Sequence, residues 1–143
     1  MDIPFSIALL KAYHAQTNAI RPHLPELGLS VGQPKILDFL DQHDGCVQKD
    51  LAALCGIEPA TVSRLLDKME AEGLITRSTA PECKRSVRIH MTDLGRERHQ
   101  AFAAVRDAVE ELELAGFTPQ EREAFYGYLL RLYNNLTQEE DKL

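Results

Sequence analysis

VQKDLAALCGIEPATVSRLLDKMEAEGLITR, Val47 to Arg77, holds two short helical patterns separated by a glycine turn and followed by the start of a strand. In the first pattern Leu51, Ala52 and Leu54 form the apolar set and close on Cys55, after which Gly56 can take the left-handed conformation that ends a helix. Ile57 anchors the turn. The second pattern opens on Glu58 and Pro59, an acid near the positive helix end and a proline in the first turn, where its missing N–H costs nothing. Val62, Leu65, Leu66 and Met69 recur at i, i+3, i+4 and i+7, the spacing of one buried face. Thr61, Arg64 and Lys68 fall largely on the other face. Short hydroxyls and long basic side chains at the start of an exposed helix face suit reading base edges and gripping phosphates. Gly73 ends the helix. The spacing therefore predicts a helix-turn-helix.

A small β-wing is expected after it. Leu74, Ile75 and Thr76 suit a strand, and Arg85 to Met91 alternates, with Val87, Ile89 and Met91 pointing inward and Ser86, Arg88 and His90 outward. Ser78 to Lys84, with Pro81 in it, reads as the connecting loop. Arg77, Lys84, Arg85 and Arg88 against the single acid Glu82 give this hairpin a local charge of +3.

The whole chain has a net charge of −6 and a pI near 5.3, which by itself argues against a nucleic-acid partner. The distribution argues otherwise. Residues 1–60 carry four Lys/Arg and seven Asp/Glu, 61–105 carry eight and six, and 106–143 carry four and nine, so the segment nets are −3, +2 and −5. Positive potential is needed only where phosphates approach, and acidic flanks chiefly weaken non-specific association.

At 143 residues, 44% of them hydrophobic, the chain has the length of one domain with an ordinary core. No apolar run reaches membrane-spanning length, and MDIPFSIALLKAYH has an acid where a secretory signal is basic, so a cytoplasmic protein without membrane contact is expected. Cys46, Cys55 and Cys83 are odd in number and lack metal-ligand spacing, which fits free thiols in a reducing compartment. The five histidines form no H-x-x-x-H pair, so no metal site is expected. Nor does the chain contain G-x-S-x-G, a Gly-rich phosphate loop or H-E-x-x-H, so an enzyme is not expected.

The flanks carry further helices. Ile3 to about Ile20 is helical in pattern, with Ile3, Phe5, Ile7, Leu9, Leu10 and Tyr13 on more than one face, and Pro22 and Pro25 bend or end it. Ser30 and Gln33 make a capping box for a helix carrying Val31, Ile36, Leu37, Phe39 and Leu40 and stopping near Gly45. Thr92 caps a long helix from Asp93 to about Leu114, with Leu94, Phe102, Val105, Val109 and Leu112 along it. After Gly116, Thr118-Pro119-Gln120-Glu121 caps a last helix running through Phe125, Leu129, Leu132, Tyr133 and Leu136. The terminal helices hold more apolar side chains than one small winged domain needs to cover, which predicts a homodimer interface. The alternative is that they pack back on their own subunit.

Over nearly its whole length the chain resembles the MarR family, the multiple-antibiotic-resistance type of winged-helix transcription regulators. The resemblance rests on LSVGQPKILDFL (29–40), QKDLA (48–52), TVSRLLDKMEAEGLITR (61–77) and KRSVRIHMTDLG (84–95). It implies a mainly α fold with a small β-wing in a single domain over 1–143. Residues 30–92 would form the winged helix-turn-helix, and 1–29 and 93–143 the dimerisation helices. The function it implies is sequence-specific binding of double-stranded DNA by a homodimer on a pseudo-palindromic operator, as a repressor answering to a small aromatic or apolar effector, with no cofactor. Thr61, Ser63, Arg64 and Lys68, together with Ala60, match recognition-helix positions. Arg85 matches the wing arginine that reaches the minor groove, and Lys84 and Arg88 complete the basic set. Tyr13 and His14 lie on the helix that, by the resemblance, borders the effector cavity. One departure concerns the wing tip, where the family has Asp-x-Arg and this chain has Cys83-Lys84-Arg85, with Glu82 adjacent.

Two other readings compete with ligand control of DNA binding. A thiol at Cys83 among Lys84, Arg85 and Arg88 could have a lowered pKa and sense oxidants. Alternatively a winged helix could serve protein contacts without specific DNA binding, since fold does not fix function.

Overall fold

The computed structural model describes residues 2–80 and 83–137 and, at 80 and 83–85, the backbone alone. In chain order the elements are α1 (Phe5–Ile20), a 3-10 turn (Arg21–His23), α2 (Gln33–Gln42), α3 (Gln48–Cys55), α4 (Pro59–Ala71), β1 (Ile75–Ala80), β2 (Cys83–Met91), α5 (Asp93–Glu113) and α6 (Pro119–Thr137). They fall into two compact units, residues 1–107 and 108–143.

The core of the first unit is built from the faces that the apolar spacing picks out. Ile36, Leu37 and Leu40 of α2, Leu51 of α3, Val62, Leu66 and Met69 of α4, and Leu74 and Ile89 around the hairpin have no exposed surface, and Ile75, Met91 and Phe102 are buried with them. Each apolar side chain removed from water in this way contributes about 1.5–3 kcal/mol before conformational entropy is counted. Gly56 takes φ 61° at the end of α3, as the turn requires, and its N–H reaches the carbonyls of Ala52 and Ala53.

Several local expectations are corrected. Leu54 is 37% exposed, because the buried side of the short helix α3 is taken by Leu51, Ala52 and Cys55. Val31 precedes α2 and is 60% exposed, and Ser30 does not cap that helix. Gly32, at φ 92°, holds the N-cap position, and Pro34 occupies the first turn. The Gln33 half of the expected box does form, its Oε1 accepting the Ser30 N–H at 2.9 Å. The hairpin is longer than expected: β1 runs to Ala80 and β2 begins at Cys83, where Ser78 to Lys84 read as loop. Ser78 and Thr79 extend the ladder opposite Arg88 and Val87, positions whose pleated partners supply the hydrogen bonds a loop would lack. Only residues 81 and 82 separate the strands.

The strands pair antiparallel, Ile75 opposite Met91 and Arg77 opposite Ile89, with a register shift between Thr79 and Ala80. The loop between α2 and α3 runs beside β2. The Gly45 N–H donates to the Ile89 carbonyl at 2.8 Å, the Ile89 N–H to the Cys46 carbonyl at 2.9 Å, and Val47 bridges to Arg88.

The hairpin returns to α5 through a close approach. Thr92 Oγ1 donates to the Gly73 carbonyl at 2.6 Å and accepts the Gly95 N–H at 3.0 Å, so the expected cap is formed. At Gly95 a β-carbon would collide with the Leu74 carbonyl oxygen and lie 2.7 Å from Met91 Cγ. Farther along α5, buried His99 holds Asp38 of α2 at 2.8 Å, and Arg106 donates to the same carboxylate at 2.6 Å.

In the second unit the Thr118 capping box is complete. The Thr118 N–H donates to Glu121 at 2.8 Å and the Glu121 N–H to Thr118 Oγ1 at 3.2 Å. Arg122 ties α6 back to the end of α5 through Glu111 at 2.8 Å and the Leu114 carbonyl at 3.2 Å.

Gly95→Ala is expected to cost about 1–3 kcal/mol through overpacking, seen as a lower urea midpoint at unchanged slope. A midpoint equal to wild type contradicts the close approach.

Candidate nucleic-acid interface

Helix α4 divides cleanly between two environments. Val62, Leu66 and Met69 are buried, whereas Ala60, Arg64 and Lys68 are exposed and Thr61 and Ser63 half-buried. The first turn thus presents Ala60, Thr61, Ser63 and Arg64 together. The Arg64 guanidinium lies 3.4 Å from Thr61 Oγ1, one turn away on the same side of the helix. Among the expected recognition residues Lys68 stands apart: its ammonium donates to Ser30 Oγ at 2.7 Å and lies 3.8 Å from Glu72.

The hairpin carries less free positive charge than its composition implied. Arg77 donates to Asp67 at 2.5 Å and to Glu70 at 3.3 Å, two acids on α4, and is itself only partly exposed. Its hydrogen bonds to Asp67 and then Glu70 raise its already high pKa, so the cation is permanent and serves to fasten β1 to α4. Arg88 is exposed but donates from Nη1 to the Gly45 carbonyl at 2.9 Å. Lys84 and Arg85 lie on the β2 backbone; their side chains, and those of Cys83 and Glu82, lie outside the described residues.

The contact that braces the hairpin from the side has no signature in the residue pattern. Asp44 accepts the Met91 N–H at 2.8 Å and lies 3.2 Å from His90 Nδ1. Partial burial pushes the Asp44 pKa up, but the Met91 hydrogen bond and the His90 ring outweigh it and leave the carboxyl below its ordinary value of 3.8.

Tyr13 and His14 lie on α1, exposed, with ring centroids 6.2 Å apart. Cys55 is buried and Cys46 half-buried. Burial pushes the Cys55 thiol up to about 11, and burial followed by the Asp50 charge raises that of Cys46. Among the described residues no group of three His, Cys, Asp or Glu is placed to hold a metal ion, and no helix is long and apolar enough to cross a membrane.

A helix-turn-helix with its second helix exposed along one edge, followed by a braced two-stranded wing, defines a winged-helix transcription regulator. The comparisons narrow the class. The MarR family model matches residues 29–87. The chain is 30% identical over 109 residues to the HTH-type transcriptional regulator YdgJ of Bacillus subtilis, covering 76% of this chain and 66% of that protein, just under two thirds of its length. A MarR-family transcriptional regulator from Silicibacter pomeroyi superposes with a TM-score of 0.83 at 28% identity, over 96% of this chain and 93% of that one. Bordetella bronchiseptica BpsR, whose DNA binding is regulated by 6-hydroxynicotinic acid, superposes at 0.79 with 25% identity, over 90% and 97%. The helix-turn-helix and wing of this chain are thus similar in sequence to the MarR family, and its fold is that of MarR-family structures. Its relatives are regulators, as expected for a chain without enzyme motifs.

Because the Asp44 pKa is depressed in the fold, its stabilisation is present above about 3.8 and is lost as pH falls through the lower folded value. Between pH 5 and pH 3 wild type should therefore lose more unfolding free energy in urea melts than Asp44→Asn. Equal losses contradict the brace.

Proposed function

We propose that the chain is a sequence-specific DNA-binding transcription repressor that works in the bacterial cytoplasm as a homodimer on a pseudo-palindromic operator. The observation that carries this reading is the exposed first turn of α4, with Arg64 beside Thr61 above a fully buried apolar face. A guanidinium held beside a hydroxyl on a rigid helix suits a guanine edge in the major groove, where arginine can donate twice to O6 and N7. Ala60 and Ser63 are small enough to let that helix approach. Lys84, Arg85 and Arg88 would then meet the phosphates and the adjacent minor groove.

The homodimer is supported by the terminal helices. On the single chain neither α1 nor α6 buries a residue, while Phe5, Leu10 and Tyr13 of α1 and Phe125, Tyr126 and Tyr128 of α6 stand exposed. Apolar surface of this extent on each of these helices marks it for association. An isologous dimer through them brings two recognition helices to one side of a duplex.

Control is assigned to a small aromatic or apolar acid, with Tyr13 and His14 at the border of its site. The relative BpsR responds to such an acid. The raised pKa values of Cys46 and Cys55 keep both thiols protonated near neutrality and argue against oxidation as the signal at either. A ligand releases DNA only if it binds the DNA-incompetent arrangement better, and a coupling of about 1–3 kcal/mol gives a 5- to 150-fold loss of affinity.

Three measurements test the proposal. Sedimentation at micromolar concentration should show a dimer that deletion of 119–143 abolishes; a wild-type monomer contradicts it. In gel shifts on genomic fragments the protein retains, Arg64→Ala should cost about 1–3 kcal/mol and alter sequence preference, while Lys84→Ala weakens all duplexes alike. Equal effects on retained and scrambled DNA defeat the assignment, and no selective retention at all favours a winged helix used for protein contacts. Salicylate or 6-hydroxynicotinate should release the DNA and peroxide should not. Release by peroxide that vanishes in a Cys46/Cys55/Cys83→Ser variant would move control to the thiols.

A further inference from the structure

Lys68 is a recognition-helix contact whose ammonium is held by a residue outside its own helix. Its Nζ donates to Ser30 Oγ at 2.7 Å across 38 positions of sequence and makes a looser ion pair with Glu72, one turn on, at 3.8 Å. Ser30 is itself held on a rigid seat. Its N–H donates to Gln33 Oε1 at 2.9 Å and its carbonyl accepts the Gln33 N–H at 3.1 Å, and Gln33 is wholly buried. The next turn sits tightly on α4, since a β-carbon at Gly32 would stand 3.1 Å from Leu65 Cδ1. The position of the Ser30 hydroxyl relative to α4 is therefore fixed by the backbone and core on both sides.

Resting on the DNA-binding reading above, we propose that Ser30 is a positioning residue for the DNA backbone, taking the Lys68 hydrogen bond so that Glu72 stays in a looser ion pair, beyond hydrogen-bond reach, and the ammonium can turn to a phosphate. A lysine has three ammonium hydrogens and a serine hydroxyl can accept while keeping its own hydrogen to donate. The pair thus has two N–H and one O–H donors left for phosphate oxygens. Lys68 would otherwise swing on a flexible stem toward Glu72, its i,i+4 neighbour, and a lysine neutralised by a carboxylate releases no counterion equivalent on binding DNA. Holding it on Ser30 also removes part of the side-chain ordering that binding would require.

The test measures affinity against salt from 50 to 200 mM on a retained duplex and a scrambled one, for wild type, Lys68→Ala, Ser30→Ala, Ser30→Thr and Ser30→Ala/Glu72→Gln. Ser30→Ala should lower the salt slope by roughly 0.9 unit on both duplexes, as Lys68→Ala does, and leave the preference between them unchanged. The affinity lost across that salt range then shrinks by about 3.5-fold. Ser30→Thr should keep the wild-type slope, because its hydroxyl can still accept. Removing the competing carboxylate in the double variant should restore the slope, an outcome a loss of folding or of local packing would not produce. A wild-type slope in Ser30→Ala, or no recovery in the double variant, overturns the proposal while leaving DNA binding intact. Wild type that binds neither duplex overturns the functional reading as well.

Discussion

The outer face of α4 can meet a partner only because its inner face is fixed in the core. Val62, Leu66 and Met69 have no exposed surface. Together they contribute roughly 5–9 kcal/mol of gross burial, the same order as the net stability of a whole domain. The helix therefore cannot rotate about its axis without forfeiting stability comparable to that of the fold. That constraint sets the directions of Thr61, Ser63 and Arg64, and Gly56 and Pro59 set where the helix begins.

The second requirement is electrostatic economy in an acidic chain. The two hairpin cations whose side chains are described are both occupied within the fold, Arg77 by Asp67 and Glu70 and Arg88 in part by Gly45. Those contacts fasten the hairpin to α4 on one side and to the α2–α3 loop on the other. The same acids that lower the surface potential thereby give the wing a defined direction. A wing aimed by paired charges can reach a groove with few cations of its own, and the strongly acidic remainder of the chain disfavours non-selective association.

The fold was legible where burial dominates. The i, i+3, i+4, i+7 series in α4 and the alternation from Val87 to Met91 pack on the core, Leu65 and Val87 only in part, and the Thr118 box forms, because each reports one local geometry. Reading failed where a short segment meets a neighbour distant in sequence. Ser30 looked like a cap and is instead a partner for Lys68; Val31 looked like helix and is held outside it by the left-handed turn at Gly32. Arg77 counted as free charge because nothing in a linear tally shows that Asp67 and Glu70, three residues apart on one face of α4, fold over to meet it. Asp44 carried no signal at all, since its role is created by the strand that passes it.

The flanking helices make this arrangement useful twice over. If α1 and α6 join two copies, the spacing of the recognition helices becomes a property of the dimer, and a ligand that alters the dimer alters DNA affinity without touching α4. Hydroxyl-radical footprinting on a retained genomic fragment tests this account most directly. It predicts two protected half-sites related by a dyad, with centres one helical turn, about 10 base pairs, apart or a multiple of it. A single protected half-site, or uniform protection without a dyad, would contradict it.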